Sequence, residues 1–323
     1  MPADTLEFEE PIAVLLKEIE ALSMLPQTPQ RQSEIDNLTR RIESIRADIY
    51  SRLTPWQRVL VARHPNRPTV LDYVNRMFTE FTEISGDRRF ADDHAMVTGF
   101  ARYKDTPVMI VGHHKGGGET KQKIFRNFGY ARPEGYRKAL RAMKLAEKFG
   151  RAVIAFVDTP AAYPGVESEE RGVAEAIAVN LRDMMLLDTP IIVIVSGEGG
   201  SGGALGIAVG DAVLMQEHSI YSVIPPEGCA AILWRDANKK VEAAEALKLT
   251  APDLLKAGII DAIIPEPVGG AHADPDATIA LVDGALDGVL GEVSALPSEI
   301  RLARRYDKFR NMGRMGIDFV DAG

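Results

Sequence analysis

Ile191-Ile192-Val193-Ile194-Val195-Ser196-Gly197-Glu198-Gly199-Gly200-Ser201-Gly202-Gly203-Ala204-Leu205-Gly206 joins two kinds of sequence without a spacer. The β-branched run reads as a strand covered on both faces. The following eleven residues hold six glycines and abandon side-chain packing. Glycine is conformationally expensive, so this stretch suits close backbone approach to a ligand, with Gly202, Gly203 and Ala204 offering amides at the start of a short helix. Gly197-x-Gly199-x-x-Gly202 satisfies the dinucleotide fingerprint only literally, because the match lies mid-chain and Gly206 and Gly210 interrupt its helix. Gly203 and Ala204 stand where a Walker A loop needs lysine and serine or threonine.

A second run, Ala152 to Val157, leads into Asp158-Thr159-Pro160-Ala161-Ala162-Tyr163-Pro164-Gly165. Pro164-Gly165 predicts a type II turn, and small Ala161 and Ala162 leave their N–H groups approachable. A helix over Glu167 to Leu187 is expected next, with Ser168 as its cap. Amides from both strand ends, converging on one oxygen as it gains negative charge, would form an oxyanion hole.

Further apolar runs at Val108 to Val111 and Ile259 to Ile264 predict strands, and the spacing between runs leaves room for helical crossovers. The core reads as α/β. Upstream, Phe8, Ile12, Leu15, Leu16, Ile19 and Leu22 recur at helical spacing. Ile35 to Ile49 repeats the pattern after a possible cap at Ser33. Thr54-Pro55-Trp56-Gln57 and Thr69 with Asp72 read as capped helix starts. Residues 1–84 are therefore expected to form a helical arm, 85–270 the core, and 271–323 a helical C-terminal segment with helices over Pro275 to Leu290 and Ser298 to Asn311.

The chain has 323 residues, 46% of them hydrophobic, which allows one large core. Its apolar runs fall well short of the roughly 20 residues that cross a bilayer, and no leader pattern opens it, so a cytoplasmic location is expected. The lone Cys229 reads as a small buried apolar residue. Net charge is −8, yet Lys115 to Arg151 carries eleven basic residues against three acidic ones, which suggests a local phosphate-bearing partner. The competing reading is a solvated helix face at Arg137, Arg141, Lys144 and Lys148. His113 and His114 read as polar loop residues. Glu198 and Glu227 are expected to orient the glycine loops through backbone bonds.

Asp158 to Gly165, Gly197 to Ala204, Tyr221-Ser-Val-Ile-Pro-Pro-Glu-Gly-Cys-Ala230 and Ile264-Pro-Glu-Pro-Val-Gly-Gly-Ala-His272 appear in this order. Together they resemble the α-subunit family of bacterial acetyl-CoA carboxylase carboxyltransferases. The likeness extends to Ala62 to Pro68, Leu71 to Val74, Gly86 to Arg88, Arg126 to Gly129 and Pro133 to Leu140, and spans about residues 6–310. The resemblance implies a crotonase-like spiral of ββα units and an α2β2 assembly with a zinc-bearing β subunit, with no metal in this chain. It also implies transfer of carboxylate from carboxybiotin, borne by biotin carboxyl carrier protein, to acetyl-CoA, giving malonyl-CoA for fatty acid biosynthesis. Biotin carboxylase would perform the ATP-consuming step elsewhere in the complex.

By the same resemblance the amides of Ala161, Ala162, Gly202, Gly203 and Ala204 would hold the ureido oxygen, with Gly165, Gly199, Gly200 and Ser201 on the biotin side. Lys115, Lys121, Lys123 and Arg126 become candidate contacts for CoA phosphates. The family has glycine at the position of Ala161, and a shorter arginine-containing segment in place of Gly116-Gly117-Gly118. Two other readings are a self-sufficient crotonase-type acyl-CoA enzyme, such as a hydratase, and a regulatory nucleic-acid-binding role for the basic segment.

Overall fold

A computed structural model describes residues 5–26 and 28–313. Helices α1 (Glu10–Ser23) and α2 (Pro29–Ser51) pack Ile12 and Leu15 against Ile42, with Ile19, Leu38, Ile45 and Ile49 at the margin. The second helix starts earlier than expected. Thr28, not Ser33, caps it, its Oγ1 accepting from the Arg31 N–H at 3.2 Å with Pro29 at the first helical position. The foot of the hairpin meets the body where Phe8, Tyr50, Leu53 and Val61 share one cluster.

Both capping boxes form. In α3 (Pro55–Ala62) the Thr54 N–H donates to Gln57 Oε1 at 2.8 Å and the Gln57 N–H to Thr54 Oγ1 at 3.3 Å. In α4 (Val70–Met77) the Thr69 N–H donates to Asp72 Oδ2 at 2.8 Å. Yet α4 buries Val70, Tyr73 and Val74 in the main core, and residues Thr79–Glu83 form strand β1. The stretch 1–84 is thus not a purely helical arm.

Strands β2 (Met96–Tyr103) and β3 (Thr106–His113) pair antiparallel through Lys104-Asp105, both with positive φ (42° and 68°). That two-residue turn normally selects glycine or asparagine, so its sequence carries little signal. Helices α5 (Thr120–Phe125) and α6 (Pro133–Lys148) lead to β4 (Ala152–Thr159). The expected long helix after it is two, α7 (Val166–Glu170) and α8 (Val173–Leu186), because Gly172 breaks it at φ 75°. Ser168 lies buried inside α7, and Gly165 occupies the cap position instead.

Strand β5 (Ile191–Gly200) runs into α9 (Ser201–Leu205), and β6 (Ala212–Gln216), β7 (Ile220–Ser222), α10 (Pro226–Trp234), α11 (Lys240–Ala246) and α12 (Ala251–Lys256) follow. The strand expected from Ile259 shortens to β8 (Ala262–Ile264). Gly258, at φ 68°, stops α12, and the Ile259 N–H turns back to the Leu254 carbonyl at 3.0 Å. Helices α13 (Pro275–Ser294) and α14 (Ser298–Asn311) complete the described chain.

The sheet runs β1-β2-β3-β4-β5-β6-β8, with β7 on the end of β5, and every pairing from β3 onward is parallel. Its two faces alternate residue by residue. Val153, Ala155 and Val157 face the core under α6 and α8, whereas Ile154 and Phe156 face α4 and α13. Continuous apolar strands of this kind are what a sheet buried on both faces requires, at about 1.5–3 kcal/mol for each large side chain removed from water.

Arg305 fastens α14 to this body. Its side chain is wholly buried, pairs with Asp211 at 2.7 and 2.9 Å, and donates to the carbonyls of Met184, Leu187 and Thr189 at 2.7–2.8 Å. Arg305→Ala is expected to lower stability by about 3–5 kcal/mol in urea denaturation, because Asp211 keeps a buried charge without its partner. Arg305→Lys should recover only part of that loss, since an ammonium cannot reach three carbonyls and a carboxylate at once.

A candidate active site at two strand exits

Because β4 and β5 are parallel neighbours, their C-terminal ends leave the sheet at the same edge, with Thr159 opposite Gly199 after an irregularity in register. The two turns then touch main chain to main chain. A Cβ on Gly203 would collide with the backbone of Ala161 and Ala162, and one on Gly200 would overlap the Pro160 carbonyl. None of the glycines from 197 to 203 has a positive φ, whereas Ser201 does, at 55°. These glycines supply space, not unusual dihedrals. Gly197 makes room for the Asp158 carboxylate and Gly199 for the Tyr221 ring, while Gly202 alone in the turn has an open surrounding, its nearest atom being the Ile177 Cδ1 at 3.7 Å.

Some amides here are already used. Tyr163 donates to the Ala131 carbonyl at 2.9 Å, and Glu198 donates to Asp158 Oδ1 at 2.9 Å. Among the described residues, the hydrogen bonds made outside helices and strands include none from the N–H groups of Ala161 and Ala162, and Gly203 lies in the first turn of α9, where a backbone N–H has no intrahelical acceptor. Ala204 is the helical position at which intrahelical bonding begins, which makes it a weaker donor to a ligand. Ala161 carries its methyl group at ordinary negative φ, so alanine imposes no backbone strain there.

A chain of charges braces the turns. Lys115 Nζ lies 2.7 Å from both Asp158 Oδ1 and Glu198 Oε2, Arg63 Nε is 2.6 Å from Glu198 Oε1, and Arg63 Nη1 is 2.6 Å from Glu227 Oε1. Burial works against the Lys115 charge, but the Asp158 and Glu198 carboxylates outweigh it and raise its pKa. For Glu198, burial favours the neutral acid, yet Lys115 and Arg63 prevail and hold it below the usual carboxylate range. Behind this layer Arg67 donates through Nε to the Ser196 carbonyl at 2.6 Å. It also grips Glu266 at 2.5 and 3.0 Å, whose carboxylate accepts from the His218 and Ala271 N–H groups.

Several sequence expectations change. Lys115 is committed to two carboxylates and is not a free phosphate contact. Lys123 lines a cavity of about 330 Å³ together with Arg63, Lys115, Asp158, Pro160 and Glu198. Arg126 donates to the His94 carbonyl at 2.9 Å and covers the Phe125 ring, and Lys121 stands exposed on α5. Glu198 and Glu227 act through Arg63 and Lys115, not through backbone bonds. His113 ends β3 and His114 opens the loop after it; both are buried, as is Cys229 beside Ala230 and Ala243. Gly165 is extended (φ −70°, ψ 155°), which rules out a type II turn at Pro164-Gly165.

The basic face of α6 is largely satisfied within the chain: Arg137 pairs with Asp87, Lys144 with Asp183, and Arg141 donates to the Ser85 and Gly86 carbonyls. Arg63, Arg67 and Glu266 escaped the sequence reading as individual site residues, although each lies in a motif that carried the resemblance. A second cavity of about 270 Å³, lined by Ser201, Gly202, Leu205, Tyr221, Val223 and Phe309, opens beside α9. Among the described residues, no helix is long and apolar enough to cross a membrane and no group of three metal-binding side chains occurs.

Residues 5–313 match the family described as acetyl co-enzyme A carboxylase carboxyltransferase-like. The acetyl-coenzyme A carboxylase carboxyl transferase subunit alpha of Geobacter metallireducens is 53% identical over 310 residues, covering 96% of this chain and 97% of that protein. Its counterpart from Geobacter sulfurreducens is 57% identical over 275 residues, covering 85% and 86%. Among solved structures, transcarboxylase 12S, crystallised with methylmalonyl-coenzyme A and methylmalonic acid, superposes with a TM-score of 0.55 at 21% identity. That match covers 68% of this chain and 41% of the transcarboxylase chain, and shows the shared crotonase-like fold. With the family match running nearly end to end and these relatives more than half identical, the chain belongs to the acetyl-coenzyme A carboxylase carboxyltransferase family.

Proposed function

We propose that this chain is the α subunit that, with a β subunit in an α2β2 assembly, moves carboxylate from carboxybiotin to acetyl-CoA and yields malonyl-CoA, and that it works in the cytoplasm. The observation that carries this reading is the main-chain contact between Gly203 and Ala161-Ala162, which sets the amides of the two turns side by side. Carboxybiotin, brought by biotin carboxyl carrier protein after biotin carboxylase has charged it, supplies the carboxylate and then a ring nitrogen able to take a proton from the acetyl methyl group. The amides of Ala161, Ala162 and Gly203, flanked by Gly202 and Ala204, stabilise the ureido oxygen as it becomes negative. Each such donor is worth about 2.7–4 kcal/mol of barrier.

The neighbouring side chains do not compete for this task. Asp158 and Glu198 are locked to Lys115 and Arg63, so neither is a ready base, which also weighs against a self-sufficient hydratase. CoA phosphates then fall to Lys121, Lys123 and Arg126. Zinc belongs to the β subunit on this reading. The internal pairing of the α6 cations removes the main support for nucleic-acid binding by the basic segment.

The purified chain mixed with its β partner should carboxylate biocytin at the expense of malonyl-CoA, and no turnover with a competent partner would sink the proposal. Gly203→Val, whose side chain must part the two turns, should lower kcat at least about a hundredfold, the size of effect that losing one such donor produces. The Glu198 ion pairs predict a pH signature. A folded pKa below the unfolded one, about 4.3, means stabilisation that is complete above that pH and fades as pH falls through the folded value. The stability gap between wild type and Glu198→Gln in urea should therefore stay constant from about pH 6 to 8 and close only below about pH 4; a gap that widens towards acid contradicts the assignment.

A further inference from the structure

His113 closes β3 and is 0% exposed, yet neither of its ring nitrogens has a hydrogen-bond partner. A buried polar group left in that state is costly and calls for an explanation. Its ring lies edge-on to Tyr136, with centroids 6.5 Å apart, and the Tyr136 ring abuts Gly206, so His113 sits beneath the turn that carries α9. Burial pushes its pKa down to about 3, the Lys115 charge adds to that, and the Gly203 backbone pulls the other way. Only an acceptor favours a protonated ring, so the Gly203 group facing His113 is its carbonyl oxygen.

That oxygen is itself unclaimed. The N–H groups of Gly206, Ile207 and Ala208 donate to the carbonyls of Gly202, Ala204 and Leu205 at 3.0, 3.2 and 3.0 Å, and among the described residues no backbone donor reaches Gly203. A neutral imidazole has one N–H to give. We infer that His113 is a positioning residue: its ring N–H donates to the Gly203 carbonyl and holds Gly203 against Ala161-Ala162 while the ligand oxygen is bound. Within a helical turn a residue's C=O and N–H point opposite ways along the axis. Tethering the oxygen from below therefore aims the Gly203 N–H away from the core, and the added bond polarises the peptide chain of donors. The inference rests on the main-chain reading of the site given above.

The test compares His113→Met and His113→Gln in complex with the β subunit, using the biocytin assay. The two side chains are nearly isosteric, and only glutamine retains an N–H donor. His113→Met should lose about ten- to a hundredfold in kcat, in line with a small misplacement of a reacting group, while KM for malonyl-CoA stays within about twofold. His113→Gln should recover most of that loss. Both pH–rate profiles should keep the wild-type shape, because the buried ring carries no proton in the reaction.

A wild-type kcat in His113→Met, failure of glutamine to restore it, or a missing limb in the pH profile each overturns the inference. If His113→Met does not assemble, His113→Leu takes its place, and if no donor-less variant assembles while His113→Gln also fails to, the role is structural and the inference falls. An inactive wild-type complex would instead defeat the carboxyltransferase reading, so the two failures are told apart.

Discussion

The carboxylate of Asp158 is the point on which the site turns. It accepts the Glu198 N–H at 2.9 Å, meets Lys115 Nζ at 2.7 Å, and fills the space that a side chain on Gly197 would need. One group thus ties the end of β4 to the end of β5 by main chain, side chain and excluded volume together. Hydrogen bonds to charged groups contribute about 1.5–3 kcal/mol each, so two of them outweigh the thermal motion that would separate the turns. The proximity of Ala161, Ala162 and Gly203 follows from this anchor.

Elsewhere the buried charges work as scaffolding for backbone paths. Arg67 with Glu266, and Arg305 with Asp211, have side chains that are nearly or wholly buried, and each pair also satisfies main-chain groups that no sheet or helix could reach. Removing two charges from water is costly, and such pairs need not add net stability. What they supply is direction. Arg67 fixes the Ser196 carbonyl just before the glycine turn, and Glu266 holds the Ala271 N–H, so segments far apart in sequence are bound to one edge of the sheet.

Local signals in the chain were readable and distant ones were not. The β-branched runs of β4 and β5 announce buried strands because both faces demand apolar residues, and Thr54 with Gln57 announces a helix start because the cap is closed within four residues. The hairpin at Lys104-Asp105 gave no such notice, since residues that rarely take positive φ adopt it under the pull of eight paired positions on either side. Short β6 and β7 are strands because of the partners beside them, β5 and β8 for β6 and β5 for β7. Lys115 looked like a phosphate ligand for the same reason. Its carboxylate partners, Asp158 and Glu198, lie 43 and 83 positions along the chain, and nothing nearby in sequence reports them.

Glycine-rich turns are commonly read as loose, and here the opposite holds. Gly200 and Gly203 sit at ordinary dihedrals, where alanine would have made the unfolded chain stiffer and added about 0.4–1 kcal/mol apiece to stability. That gain is closed to this protein because even one methyl group at either position would act as a wedge between the strands' ends. The turn is therefore a tight joint whose tolerance is narrower than a carbon atom, and variation that the rest of the surface absorbs should be rejected there by shape alone.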